Sequence, residues 1–251
     1  MTVFTCAREL EDMLSCIYVA WASGLGHNNI RLMLEPIGQY DLLDEYIHVE
    51  ADDSKVISVM DAINRKISPY FYHELLYSSM YCADDVLDNM YRMLLLGFKY
   101  GNGALDMVQF EAVNRNRMIR KAYGTEVCRF KEFLRFHEVR KSVYIAHIEP
   151  RSRVVLALGP VFADRMPSEN WMIVDDVHCE AVVHPADRDY YVRRLSVEEV
   201  NELLQTEDIN DEYTDMWKVF FDAVAIKERT NPVCQQSHIP IWSRKHAVEF
   251  Q

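Results

Sequence analysis

Two short runs in the second half of the chain, 133–139 and 142–149, alternate apolar and polar residues, and three more, 171–176, 179–184 and 190–195, also read as strands. A strand turns successive side chains to opposite faces, so a period of two fits half-buried strands rather than helices. The first two runs meet at Arg140 and Lys141 and predict a β-hairpin, although no Gly or Asn is present to supply a positive φ. Runs three and four predict a second hairpin, and the fifth a partner for it. Helical spacing surrounds these strands. It is seen at Leu10, Leu14, Ile17 and Trp21, at Val56, Val59, Met60 and Ile63, and along 104–127, 153–166 and 213–227. The pattern predicts an α+β fold, with an antiparallel sheet of hairpins packed by helices in the C-terminal two-thirds. The N-terminal part is expected to be mainly helical, with strands at 2–6 and 45–50. A boundary near Met80–Asp85 divides the chain into 1–82 and 83–251.

Local signals place several helix starts. Asp52 can accept from the backbone amides of the turn that follows, and Ser68-Pro69 sets a cap with Pro at the first helical position. Ser196-Val197-Glu198-Glu199 has the spacing of a capping box. The segment 27–44, with Pro36 and Gly38, reads as an irregular connection.

Charge is segregated. Stretch 115–141 holds nine of the 27 Lys and Arg but three of the 39 Asp and Glu, so the remainder carries 18 basic against 36 acidic residues. Tyr123, Phe130, Phe133 and Phe136 are interleaved with these cations. Cations neutralise phosphates and aromatic faces stack on unpaired bases, so this strip is the candidate contact for nucleic acid. The overall net charge of −12 argues against indiscriminate coating of DNA or RNA and confines any contact to a local patch. Arg117, Arg120, Lys121, Arg129, Lys131 and Arg135 are the expected backbone contacts. In the polar C-terminal segment, Arg229, Asn231, Gln235 and Arg244 supply directional hydrogen bonds of the kind that read base edges or phosphates.

Other chemistry is thinly represented. The six cysteines form no C-x-x-C pair and read as reduced thiols of a cytoplasmic protein. Cys128, at the end of an apolar helix face, is expected in the core. Asp175 and His178 are potential metal ligands, but a polar tight turn accounts for them better. His238 and His246 are expected as buried hydrogen-bonders. No cofactor and no metal site is expected, and no phosphate-binding glycine loop or nucleophile elbow occurs. A signal peptide is not expected, nor a membrane partner, since no apolar run approaches the ~20 residues that cross a bilayer.

Several strings together resemble a known family. They are Arg129-Phe130-Lys131-Glu132-Phe133-Leu134-Arg135-Phe136, then Phe162-Ala163-Asp164-Arg165-Met166, then Trp171-Met172-Ile173-Val174-Asp175. Trp217-Lys218-Val219-Phe220-Phe221 and Ile226-Lys227-Glu228-Arg229-Thr230-Asn231-Pro232 follow, with Gln235, Pro240, Trp242 and His246. Their order and spacing resemble a bacterial family of DNA repair or DNA metabolism proteins encoded beside a radical-SAM protein. The C-terminal part of that family is also found fused to uracil-DNA glycosylase domains. The resemblance implies a DNA repair accessory protein whose partners are DNA and a radical-SAM enzyme. Glu132 stands where the family string carries Gly, and no basic residue stands near His178; both departures thin the positive strip. Two other classes fit the same residues. One is an enzyme acting on damaged nucleotides, glycosylase- or nuclease-like, through Asp164, Asp175 or a His. The other is a protein-interaction module with no affinity for DNA.

Overall fold

The structure, a computed structural model, describes residues 1–140, 142–205, 216, 223 and 231–247. By internal contacts the chain divides into two compact units, Met1–Tyr123 and Gly124–Gln251.

The first unit opens with β1 (Thr2–Cys6), α1 (Leu10–Ala22), β2 (Ile30–Leu34) and β3 (Glu45–His48). The three strands are all parallel, in the order β2-β1-β3. A central parallel strand is covered on both faces, and β1 is accordingly buried from Val3 to Cys6. Segment 27–44 is therefore more than a connection: Ile30, Leu32 and Leu34 of β2 are buried. The helices that follow are α2 (Asp53–Lys66), α3 (Pro69–Ser79) and α4 (Val86–Tyr100). Asp52 caps α2 by accepting from the amides of Ser54 and Lys55; bonds from the Ser54 hydroxyl, the Lys55 ammonium and the Lys55 amide lower its pKa to about 2. Ser68 caps α3 at the amide of Phe71, with Pro69 in the first turn. The core joins Phe4, Met13, Leu14 and Ile17 to Ile63, Phe71, Leu75, Leu87, Met90 and Leu94. Gly97 of α4 allows a close approach: a Cβ there would lie 2.7 Å from both Ile67 and the Phe71 ring.

Gly101, at φ 65°, ends α4, and a 3-10 turn over Gly101–Asp106 follows. The long helix α5 thus runs over Glu111–Phe133 rather than 104–127. Its buried seam is Val113, Asn116, Ile119, Tyr123, Val127 and Phe130, at helical spacing. The division between the units falls within this helix. Cys128 lies off the seam and is exposed, contrary to the expected core position.

The second unit holds β4 (His137–Arg140), β5 (Val143–Ile148), α6 (Val155–Arg165), β6 (Asn170–Asp175), β7 (Glu180–His184), β8 (Tyr191–Arg194), α7 (Val197–Leu204) and α8 (Pro232–His238). The five strands lie in the order β4-β5-β6-β7-β8. The two predicted hairpins, β4–β5 and β6–β7, are present, with β8 antiparallel to β7. The sheet is nonetheless mixed, because β5 and β6 run parallel with α6 as their crossover. Ser142, at φ 61°, supplies the left-handed residue for the first turn, and Cys179, at φ 53°, for the second. Ser196 and Glu199 form the capping box of α7.

The tail is not merely a loop, since Asn231 precedes the helix α8 and its carbonyl accepts from Gln235. Of the expected helix over 213–227 the described residues include 216 and 223, both helical, and Arg229 lies outside them. Among the described residues no helix is long and apolar enough to cross a membrane.

Candidate functional site

Alternation along β5 and the parallel register with β6 assemble the site. His147 pairs in register with Val174, and Ile148 with Asp175. Two residues on from each of those first partners, Glu149 and Asp176 leave the carboxyl ends of adjacent parallel strands on the same side of the sheet. The ladder continues one step further, as the Asp176 amide donates to the Ile148 carbonyl at 3.0 Å. On the neighbouring strand His137 faces Ile145, two residues from His147, and the two imidazoles stack with centroids 6.1 Å apart.

The carboxylate of Asp176 is the centre of the cluster. Its Oδ1 lies 2.8 Å from Nδ1 of His147, and its Oδ2 lies 3.6 Å from Nε2 of His246. The His147 side chain is fully buried and that of Asp176 is 6% exposed. Against an ionised Asp176, which only accepts, the hydrogen of this bond would sit on Nδ1 of His147. Nε2 of His147 and Oδ2 of Asp176 are buried with no hydrogen-bond partner among the described residues. Orphaned polar atoms of this kind are costly in a native interior and mark places where something else belongs. Glu149, next to the cluster, is ion-paired with Lys245.

A pocket opens beside this cluster. It is lined by Arg129, Phe133 and Arg135 from the end of α5 and the segment after it, by His147 and Glu149, and by Trp242, Lys245 and His246 from the C-terminal segment. Its enclosed volume is about 20 Å³, room for a water or an ion but not for a base. The walls are fixed by specific contacts. Phe130 packs against Trp242 at 6.4 Å, and the Arg151 guanidinium lies over the Trp242 ring at 4.7 Å. The buried Glu126 of α5 accepts from the amides of Arg151 and Ser152 at 2.7 and 3.2 Å, which ties down the loop after β5. Arg165 donates to the carbonyl of Lys131 near the end of α5.

The basic strip is divided. Arg115 holds Asp85 with two bonds of 2.5 and 2.6 Å, which lowers the Asp85 pKa and raises that of Arg115. Arg120 is bidentate to Glu74 and stacks on the ring of Tyr77. Arg117 lies 3.5 Å from Asp106. These arginines belong to the first unit and serve it structurally. Lys121 is exposed on the same stretch of helix. Arg129 and Arg135 are the two strip residues that line the pocket, and Arg129 pairs with no described carboxylate. Arg135 also donates to the carbonyls of Glu132 and Leu134. Arg244 turns inward, its Nε donating to the carbonyl of Ile239. Asn231 and Gln235 sit at the start of α8.

Asp175 and His178 form the tight turn. Oδ1 of Asp175 accepts from the amides of Val177 and His178, and Oδ2 meets the His178 ring at 2.7 Å. Asp164 is exposed on α6. Sequence reasoning missed His137, His147, Glu149 and Asp176. Their signal was present as a His-x-Glu at one strand end and an acid at another, but only the parallel register joins them.

Residues 84–249 match the family described as "Domain of unknown function (DUF4130)". Comparison with curated proteins and with solved structures returns no match.

Proposed function

The chain belongs to the DUF4130 family, and on that premise we propose that it is a cytoplasmic accessory protein of DNA metabolism. In this reading it docks nucleic-acid phosphates across the mouth of the second unit's pocket and acts with a radical-SAM partner enzyme. The observation that supports it is the gathering of Arg129, Arg135 and Lys245 around one opening flanked by Phe133 and Trp242. A guanidinium fork matches two phosphate oxygens, and an adjacent aromatic edge can receive a base from a single strand. The enclosed space is too small for a nucleotide, so the strand lies over the opening rather than in it. The anionic remainder of the chain restricts contact to this patch. The resemblance of the strings 129–136 and 226–232 to the DNA-repair family supplies the radical-SAM partner.

The test is fluorescence anisotropy with labelled single- and double-stranded oligonucleotides between 50 and 200 mM salt. Log affinity should fall with log salt by roughly 0.7 to 0.9 per phosphate neutralised. Arg129→Ala with Arg135→Ala should shallow that slope by up to about two such steps. A flat salt dependence, or binding unchanged in the double variant, refutes the docking surface. Co-purification with a radical-SAM enzyme in the absence of oligonucleotide binding would reassign the chain as an interaction module.

A second reading, catalysis on a damaged nucleotide, is favoured by one observation: the His147–Asp176 dyad, whose outer imidazole nitrogen has the geometry of an oriented base. Lesion-bearing oligonucleotides incubated with the protein, with and without divalent metal, should release a base or a cut strand. Unchanged substrate over many hours removes this reading.

A further inference from the structure

We propose that Glu149, Asp176 and His246 form a binding site for one divalent transition-metal ion of the zinc class. One ligand atom from each lies within 4.8 Å of the other two. The distance from Oδ2 of Asp176 to Nε2 of His246, 3.6 Å, is too long for a hydrogen bond. It is close to the separation two ligands take around a shared ion: bonds of about 2.1 Å at a tetrahedral angle put them about 3.4 Å apart.

A second observation points to the same occupant. The Asp176 side chain is 6% exposed, its Oδ2 has no hydrogen bond among the described residues, and that oxygen faces His246. Its other oxygen is held by Nδ1 of His147, the hydrogen-bonded support that ligating carboxylates require. A buried carboxylate oriented on one side and unsatisfied on the other is half of a coordination shell.

The donor set selects the metal. One imidazole with two carboxylates suits Zn²⁺, Co²⁺ or Mn²⁺, whereas Mg²⁺ and Ca²⁺ favour oxygen alone. Three protein ligands leave a position open to water or to a phosphate oxygen. Glu149 is also bound by the Lys245 ammonium, but that pair is largely exposed, with side-chain accessibilities of 57% and 29%, so its displacement costs little. The ion would lie at the wall of the pocket whose lining also includes Arg129 and Arg135. The site stands on geometry alone and does not depend on nucleic acid.

The full chain, stripped with chelator, is titrated with Zn²⁺ against a competing dye and with Co²⁺ by visible absorption. One equivalent should bind, with a d–d band that lacks thiolate character. Asp176→Asn and His246→Gln should each weaken binding by roughly 10–100-fold or more. Lys245→Ala should match or tighten it, since it removes a competitor for Glu149. Circular dichroism verifies that each variant is folded; should Asp176→Asn unfold, His246→Gln decides alone. Exposed Cys128 can capture zinc adventitiously, so Cys128→Ser is the background for every titration. Absence of stoichiometric binding, or binding that survives His246→Gln, overturns the proposal. Because oligonucleotide is absent, these outcomes are separate from those of the salt titration.

Discussion

Replacing Glu126 tests how the loop beneath the site is held. Its carboxylate is 5% exposed and accepts from two backbone amides, those of Arg151 and Ser152. Glu126→Ala removes the single oxygen, Oε1, that accepts from both. Ser152 is fully buried, so its amide would be left unsatisfied at a cost of about 1–3 kcal/mol. Arg151 is an exposed residue whose amide can recover water, so its share is about 1 kcal/mol. The sum is about 2–4 kcal/mol, a fall of roughly 4–16 °C in the unfolding midpoint at about 2–4 °C per kcal/mol. Glu126→Gln keeps a carbonyl oxygen in place and loses only the assistance of charge. It should cost about half as much or less. Scanning calorimetry with near-ultraviolet circular dichroism reads both variants. If Gln and Ala are equally damaging, volume and not hydrogen bonding holds the loop, and the reasoning fails. It fails equally if Ala lies within about 0.5 kcal/mol of the native chain.

Gly97→Ala should destabilise the first unit by about 1–3 kcal/mol in urea denaturation, because a methyl group would press on Ile67 and the Phe71 ring; a neutral result would mean α3 and α4 separate freely. Arg120→Ala should lower stability through loss of the Glu74 pair and the Tyr77 stack, yet leave oligonucleotide affinity unchanged. A loss of affinity in that folded variant would return Arg120 to the nucleic-acid surface. Hydrogen bonds to Thr5 and His48 lower the pKa of Glu35, and the bond to Glu35 raises that of His48. The raised His48 contributes stability that is complete below about pH 6.5 and lost as pH climbs through its folded value. The depressed Glu35 contributes above its unfolded value and loses that share as pH falls through its folded one. NMR titration should therefore place the His48 midpoint above 6.5, and Glu35→Gln should bring it back; an unmoved midpoint in the variant would dismiss the pair.

Features set by neighbours in sequence were the readable ones. The caps at Asp52, Ser68 and Ser196 need only residues two or three positions away, and all three form. The strands of the first hairpin show their period of two, although the positive φ at Ser142 and Cys179 carries no residue signature. Pairing between distant segments was hidden. β2 is five residues long and flanked by turns, so Ile30–Leu34 gave too brief a pattern to stand out from a loop. Parallel pairing of β5 with β6 depends on the α6 crossover, and the alternation of each strand is the same whichever way its neighbour runs. That register is what brings His147 to Asp176 across 29 positions. The charge strip divides for a related reason: nine cations counted along the chain say nothing of the acids folded against them, and Glu74, Asp85 and Asp106 answer three of the arginines.

Where α4 packs has a practical bearing on any attempt to work with the matched region by itself. Its Leu87, Met90 and Leu94 are enclosed partly by β1, β2 and α1, all encoded before residue 84. A fragment trimmed to 84–249 would present those side chains to water and invite self-association. Recombinant work on the matched segment calls for the preceding eighty-odd residues as its cover.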